Sequence, residues 1–186
     1  MPKTTKAKRD EQQVDDPNGP VYFWKPATLH GYLGQWYSSP FTSTESDGRK
    51  IGYENAEQYM MHRKGLLFAP DDNITASILE TTDPKAIKAL GRLVPDFDET
   101  VWLEKRYQIV IDGNYLKFSQ NKELKDKLLA TGNRELVEAS PMDRIWGVGF
   151  GWKNAEKQRG RWGLNLLGKA LMEVRDKLRA EEGESV

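Results

Sequence analysis

One segment in the first third of the chain places a carboxylate and an ammonium group on an apolar helical stripe. Glu57, Met60, Met61, Lys64 and Phe68 follow the i, i+3, i+4, i+7 spacing of an amphipathic helix. The step from Glu57 to Lys64 returns to nearly the same face, with the Cα atoms about 10 Å apart. Such a pair can hold one ligand from two ends. The alternative is that both are border residues with solvated charges, and the segment alone leaves both interpretations open.

A second segment, residues 140–151, combines a carboxylate, an aromatic ring and three glycines. Asp143 and Trp146 precede Gly147, Gly149 and Gly151, which allow a ligand to approach the backbone closely. A dinucleotide-binding fingerprint is rejected because it should follow a strand and open a helix inside a βαβ unit, whereas Trp152-Lys153-Asn154 and a charged loop come after these glycines. The next residues form a basic loop that either binds a diphosphate or is an ordinary solvated surface; its cations are Lys153, Lys157, Arg159 and Arg161.

Four aromatic residues offer flat surfaces on which a nucleobase can stack: Trp36, Tyr37, Trp102 and Trp146. Stacking of a base on such rings contributes about 1–3 kcal/mol. Core packing is the alternative, and it is favoured for Trp102 because that residue falls on a predicted helix. Trp36 and Trp146 lie beside glycines in predicted loops, where a ligand-binding role is equally consistent with the sequence.

The composition limits the chemistry available to these residues. The 186 residues, 38% of them hydrophobic, suffice for one domain, and 28 basic residues balance 28 acidic ones, so there is no overall attraction to a polyanion. Because cysteine is absent and histidine occurs only twice, we expect no disulfide and no metal site. No apolar run approaches the roughly 20 residues of a membrane span. We therefore expect an intracellular protein, cytoplasmic or nuclear, that is monomeric and has no membrane partner.

The elements that must position these residues are mostly helical. Residues 1–20 read as a disordered tail because they contain almost nothing apolar, and residues 21–182 read as one domain. Short strands are predicted at 21–24 and 136–139. Caps at Asn73, Asp83 and Asp98 and apolar periodicity predict helices at 53–68, 74–80, 84–93, 99–111, 122–131 and 165–180. The last of these helices places Leu167, Leu171, Val174 and Leu178 on one stripe. The expected fold class is mainly α, an α+β domain with a few short strands.

The motifs together resemble the NADAR family, also called the YbiA-like N-glycosidases. The resemblance covers nearly everything after the tail. It rests on YLGQWYSSPF at 32–41, Glu57-x-Tyr59 with Lys64, Trp102, Leu128 to Gly132, Asp143-x-x-Trp146-Gly147, and Gly163-x-Asn165-x-Leu167-Gly168-x-x-Leu171-Met172-x-x-Arg175. The first motif departs from the family pattern, because Gln35 replaces its usual Asn and Trp36 replaces Phe.

The resemblance implies a YbiA-like fold and hydrolysis of the bond between ribose and a guanine-type amine, without a cofactor. Two substrate classes are compatible with it: ADP-ribosylated guanine in DNA, RNA or nucleotides, which the basic loop favours, and phosphoribosylamino-pyrimidine intermediates of riboflavin synthesis. It assigns catalysis to Glu57, Lys64 and Asp143. Ligand binding is expected at Gln35, Trp36, Tyr37, Ser38, Trp102, Trp146, Gly147 and Asn165.

Cleavage of a glycosidic C–N bond requires a carboxylate near the sugar and a donor near the departing base. In one route a carboxylate stabilises the oxocarbenium-like carbon or activates water while Lys64 contacts the base carbonyl. In the other route a neutral Lys64 attacks the anomeric carbon and forms a Schiff base. Two rival functions remain: a non-catalytic ADP-ribose reader and a helical interaction domain without a ligand.

Overall fold

Helices dominate the fold, and four short strands join them. The computed structural model describes residues 13–184. The strands are β1 (Val21–Phe23), β2 (Phe41–Thr44), β3 (Lys50–Tyr53) and β4 (Leu136–Glu138), and short 3₁₀ turns cover Gly31–Leu33 and Glu156–Arg161. The helices are α1 (Ala56–Phe68), α2 (Asn73–Glu80), α3 (Pro84–Leu93), α4 (Glu99–Gln120), α5 (Lys122–Leu129), α6 (Trp152–Ala155) and α7 (Leu166–Glu184). The predicted mainly α fold class is confirmed.

Short polar side chains start the helices that surround the site. Asn55 accepts a hydrogen bond from the backbone of Gln58 and fixes the first turn of α1. Asp83 and Asp98 cap α3 and α4, as the sequence predicts. The cap of α2 is Asp72, one residue before the expected Asn73. These caps fix where α1 and α3 begin, and both helices contribute residues to the site.

The core forms where α7 packs on α4 and on the small parallel sheet. The predicted stripe of α7 is confirmed, since Leu167, Leu171, Val174 and Leu178 are all buried. Strand β1 pairs with β4 in parallel, and Phe23 lies opposite Glu138 at the carboxyl end of the pair. The sheet therefore delivers the residues after β1 and β4 to the same edge of the molecule.

Two parts of the architecture differ from the sequence prediction. Strands β2 and β3 form an antiparallel hairpin in a region where no strand is predicted. Helix α4 also continues nine residues past the expected end at Ile111. Gly113 lies inside this extension, where α4 packs on α1. A Cβ added at this position would come within 2.6 Å of the Tyr59 ring. Close packing on α1 selects glycine there, so the glycine does not end the helix.

The expected tail falls partly outside the described residues, which begin at 13. Asp15 forms an ion pair with Arg134, and Gln13 donates a hydrogen bond to the Tyr22 carbonyl. Residues 13–20 thus contact the domain. Among residues 13–184, none of the helices combines the length and apolarity needed to cross a bilayer.

Candidate active site

A cavity of about 450 Å³ opens between α1, α3, the start of α4 and the loops that follow β1 and β4. Its size suits a small polar ligand with a ring system. The lining combines carboxylates, cations and large aromatic rings. The residues that line the cavity include Trp24, Lys25, Gln35, Trp36, Glu57, Met60, Met61, Lys64, Lys88, Arg92, Trp102, Glu138, Met142, Asp143, Trp146 and Leu167.

Glu57 projects into this cavity from the first turn of α1. Its side chain is buried, and Oε1 has no hydrogen-bond partner among the described residues. Burial raises the pKa of Glu57 to about 7, and nearby Asp143 adds to the shift, while Lys88, Trp36 and Arg92 oppose it. Glu57 is therefore poised to exchange a proton near neutral pH.

Lys64 lies two helical turns further along α1 and lines the same cavity. Its Nζ donates a 2.7 Å hydrogen bond to the Gly91 carbonyl of α3. The ammonium also lies 4.3 Å from the centroid of the Phe97 ring and 5.7 Å from that of Trp102. Burial lowers the pKa of this amine below its usual value. Lys64 is thus held at the wall by one hydrogen bond and two aromatic rings.

Asp143 reaches the cavity from the loop after β4. Its Oδ1 accepts hydrogen bonds of 2.8 Å from the backbone amides of Ile145 and Trp146, which turns the loop back toward the cavity. Because an added Cβ at Gly147 would come within 2.8 Å of the Glu138 carbonyl oxygen, only glycine lets this loop return so close to β4. Asp143 is therefore oriented by its own loop.

Gln35 and Trp36 form the wall next to Glu57. The backbone carbonyl of Gln35 accepts a 3.1 Å hydrogen bond from the backbone amide of Glu57. The side-chain Oε1 of Gln35 accepts a 2.8 Å hydrogen bond from Asn114 Nδ2. Gln35 Nε2 is buried and has no hydrogen-bond partner within residues 13–184, so it is available to a ligand acceptor. Buried Lys117 donates to the carbonyls of Tyr32 and Gly34, which fixes the loop from behind.

Three indole rings line the cavity beside Trp36: Trp24, Trp102 and Trp146. Trp102 and Trp146 are only partly buried and pack their inner edges on the core. The guanidinium of Arg106 lies 5.9 Å from the centroid of Trp146 on α4's side of the opening. These rings provide partly exposed surfaces on which a base can stack.

Seven of the expected site residues therefore share one cavity: Gln35, Trp36, Glu57, Lys64, Trp102, Asp143 and Trp146. The other four do not line it. Tyr37 packs against the core, and exposed Ser38 bonds to Glu54. Gly147 and buried Asn165 instead position the backbone around β4. Gly147 allows its loop to approach the Glu138 carbonyl, and the Asn165 side chain forms hydrogen bonds with Leu136 and Glu138.

Four charged lining residues were not predicted: Glu138, Lys25, Lys88 and Arg92. Glu138 is the last residue of β4, and the parallel pairing of β4 with β1 places it at the site. Its position could be predicted only if the pairing of these two strands were known. Lys88 and Arg92 are four residues apart and share one face of α3, which packs tightly on Met61 at Gly91. On sequence alone they are indistinguishable from other exposed helical cations.

The basic loop expected to bind a diphosphate lies away from the cavity lining. Arg159 pairs with Glu135 and Glu156, and it stacks on Trp162 at 4.4 Å. The Arg161 carbonyl accepts from Arg144. The cations at the cavity come instead from the loop after β1 and from α1 and α3. An anionic group of a ligand in the cavity would therefore lie near Lys25, Lys64, Lys88 and Arg92, and not near the basic loop.

Chemically, the cavity joins carboxylates from three separate elements with a desolvated lysine and stacking surfaces. Buried carboxyl groups with raised pKa values suit proton transfer at neutral pH. A nearby carboxylate also stabilises positive charge that develops on a sugar carbon. The site can therefore assist both halves of a glycosidic cleavage.

Comparison with known proteins agrees with this chemistry. The family model described as the NADAR domain matches residues 22–179. N-glycosidase R617 of Acanthamoeba polyphaga mimivirus is 43% identical over 146 residues, 77% of this chain and 85% of that protein. The riboflavin biosynthesis protein VVA0006 of Vibrio vulnificus is 29% identical over 159 residues, 86% of this chain but 38% of that protein.

The fold is also similar to a solved structure. The NMR structure of the E. coli protein YbiA superposes with a TM-score of 0.67 at 26% identity, covering 96% of this chain and 94% of that one. The matched family segment extends from β1 into α7 and includes every element that lines the cavity. The chain belongs to the NADAR domain family.

Proposed function

We propose that the protein hydrolyses the N-glycosidic bond between ribose and a guanine-type amine, and that its substrate is ADP-ribosylated guanine in nucleic acid or in a nucleotide. The observation that carries the proposal is the meeting of Glu57, Lys64 and Asp143 in one cavity. A protein that only binds ADP-ribose has little use for buried, proton-exchanging carboxylates beside its ligand. The name of the mimivirus relative, an N-glycosidase, supports the same reaction class.

In the proposed mechanism, the ribose lies between Glu57 and Asp143. Asp143, with one oxygen held by two backbone amides, uses its other oxygen to stabilise the positive charge of the oxocarbenium-like carbon. Glu57 accepts the proton of the attacking water. Trp36, Trp102 and Trp146 hold the base and the adenine by stacking, and Gln35 offers its unpaired Nε2 to a ligand acceptor.

Lys64 has one of two roles in this mechanism. As an ammonium group it donates a hydrogen bond to the base carbonyl, exchanging its present acceptor, the Gly91 carbonyl, for the substrate. As a neutral amine it attacks the anomeric carbon and forms a Schiff base with the opened ribose. Its lowered pKa favours neutralisation and so is compatible with the second role. Borohydride reduction during turnover separates them, because only the second leaves a protein–sugar adduct.

The cations of α3 support an ADP-ribosyl substrate. Lys88 and Arg92 line the cavity and form no ion pair with an acid among the described residues. In the proposed complex they bind the diphosphate, since its non-bridging phosphoryl oxygens accept charge-assisted hydrogen bonds. A substrate with only a base and a ribose would leave this face of the cavity without a counter-charge.

The test is incubation with ADP-ribosylated guanosine, followed by mass analysis for free guanosine and ADP-ribose. The matched controls are Glu57→Gln, which should release neither product, and Glu54→Gln, which alters a carboxylate outside the cavity. Binding of ADP-ribose without release of guanosine would identify a reader and refute the proposed hydrolysis.

A second candidate substrate is a phosphoribosylamino-pyrimidine, which the name of the Vibrio vulnificus relative favours. Here the ribose carries one phosphate and the departing group is a monocyclic amine. The same assay run with this compound decides between the two classes. A higher kcat/KM for the pyrimidine would replace the ADP-ribosyl substrate and leave the reaction type unchanged.

A further inference from the structure

Glu138 is held at the cavity by its backbone. It ends β4, where its amide donates a 3.0 Å hydrogen bond to the side chain of Asn165, and its carbonyl accepts one of 3.0 Å from Val148. The close approach of Gly147 covers the same carbonyl. The Glu138 backbone therefore cannot shift without breaking contacts to both α7 and the loop after β4.

The side chain is far less satisfied than this backbone. It lines the cavity, and Oε2 is buried without a hydrogen-bond partner among the described residues. Glu57, which lines the same cavity, also has one buried oxygen without a partner among residues 13–184. Buried polar atoms are rarely left unpaired, and a binding or catalytic role is one explanation of such exceptions. Two such oxygens in one cavity indicate a ligand that brings hydrogen-bond donors or proton acceptors to both.

The surroundings of the two glutamates differ in charge. Glu57 lies in the first turn of α1, where the helix dipole favours an anion, and Lys88, Arg92 and the Trp36 indole favour its charged form. Glu138 is half-buried with its Oε2 atom buried, and it lies near the carboxylates of Asp143 and Glu57, with Lys88 as the cation that opposes their effect. Burial first, and these carboxylates second, raise the pKa of Glu138 to about 8. Of the two glutamates, Glu138 holds its proton more tightly.

We propose that Glu138 is the catalytic acid of this site and protonates the nitrogen that leaves the ribose. This inference rests on the proposed function. The protonated carboxyl of Glu138 donates its proton as the C–N bond breaks and the bonding electrons move to nitrogen. A water oxygen bonds to the anomeric carbon and its proton passes to Glu57. The amine and the free sugar leave, and the proton on Glu57 returns through solvent to Glu138.

The first test compares Glu138→Gln with Glu135→Gln on both candidate substrates. Glu138→Gln keeps size and hydrogen bonding but cannot donate the proton, so kcat should fall by about 10²–10⁴-fold, as for other general acids. Binding of ADP-ribose should be nearly unchanged. Glu135 lies three residues earlier, next to β4, and pairs with Arg159 at 2.8 Å outside the cavity, so Glu135→Gln should leave kcat unchanged.

The second readout is the pH profile of kcat, which a purely structural role would not alter. In the parent protein the rate should fall toward alkaline pH as Glu138 loses its proton. The charged groups that face it are Glu57 on α1, Asp143 on the adjacent loop and Lys88 on α3. The residual rate of Glu138→Gln should lack this alkaline decline, and Glu138→Asp, which retains an acid, should restore it together with part of kcat.

The outcomes separate the two claims. A parent protein that cleaves a substrate while Glu138→Gln matches it, or retains its alkaline decline, overturns the role of Glu138 and leaves the proposed function intact. A parent protein that cleaves neither substrate overturns the proposed function and this role with it. Loss of turnover in Glu138→Gln with unchanged binding, an absent alkaline decline and rescue by Glu138→Asp establishes the assignment.

Discussion

Replacing Glu57 with glutamine should make the protein more stable while removing its activity. Only 4% of this residue is exposed, and one of its oxygens has no hydrogen-bond partner in the part of the chain that the structure describes. Burial is the main cause of its raised pKa, so the folded protein holds a carboxyl group that is unfavourable in its charged form. A neutral amide of the same size removes the charge and therefore removes that unfavourable contribution.

The magnitude follows from the two pKa values. The pKa of Glu57 rises from 4.5 to about 7 on folding. Each pKa unit corresponds to about 1.4 kcal/mol, so a shift of this size makes the ionised protein about 3 kcal/mol less stable. The sign is fixed by linkage: the unfavourable contribution is absent below the unfolded pKa, grows between the two values, and is complete above the folded pKa. Because the buried amide also needs partners, we expect a net gain of roughly 1–3 kcal/mol above neutral pH.

The assay is urea denaturation of parent and variant from acidic to mildly alkaline pH, with turnover measured on the same samples. Glu99→Gln is the matched control, because Glu99 also lies in the first turn of a helix but is exposed. It should change stability by less than about 1 kcal/mol, through the helix dipole alone. Glu57→Gln should gain stability only as the pH rises, with turnover lost by about 10²–10⁴-fold.

A Glu57→Gln protein that is destabilised at every pH would refute this reasoning. Such a result would mean that the carboxylate makes structural hydrogen bonds that the amide cannot replace. A pH-independent gain would show that the pKa of Glu57 is the same in the folded and unfolded states. Either outcome would remove Glu57 from the set of proton-exchanging groups, whatever the effect on turnover.

Three further changes test other parts of the structure. Lys64→Ala should abolish turnover, and thermal melts should show that the fold survives; an active variant would remove Lys64 from the mechanism. Lys88→Ala should weaken ADP-ribose binding roughly tenfold in calorimetry at low salt, whereas Lys85→Ala, on the exposed side of α3, should leave it unchanged. Equal affinities of the two variants for ADP-ribose would show that Lys88 does not bind the diphosphate. Gly168→Ala should destabilise the protein by about 1–3 kcal/mol in urea melts, since its Cβ would collide with a backbone oxygen of β4. Gly183→Ala on the same helix meets no neighbour and should be neutral or stabilising by up to about 1 kcal/mol, and equal effects at the two positions would refute the collision.

The α1 part of the site could be predicted from the sequence because helical periodicity is local information. The spacing of Glu57, Met60, Met61 and Lys64 places all four on one stripe, and all four line the cavity. The glycine-rich segment singled out Asp143 by itself, and the family resemblance connected it to α1. The residue types in these motifs were informative because they combine charge with an apolar or glycine-rich setting.

Glu138 could not be found in the same way. Its signal is a strand pairing between residues more than a hundred positions apart, Val21 with Leu136, and three-residue strands have almost no periodicity to detect. The prediction that α4 ends near Ile111 was wrong for a related reason. The helix continues through Gly113, which close packing of the Tyr59 ring requires, and Asn114 in this extension supports Gln35.

The hydrogen bonds of the scaffold explain why the unsatisfied groups of the cavity persist. Behind the cavity, Lys117, which has no exposed surface, donates two hydrogen bonds to the loop that carries Gln35. The side-chain amide of Asn165 donates to the Leu136 carbonyl and accepts from the Glu138 amide of β4. These buried side chains bond to backbone. At the cavity, Glu57, Gln35 and Glu138 each have a buried atom without a partner in the described part of the chain. A chain under selection for stability alone would pair or replace such atoms. Their retention on a backbone held so tightly is the expected structure of a site whose missing partners are supplied by the substrate.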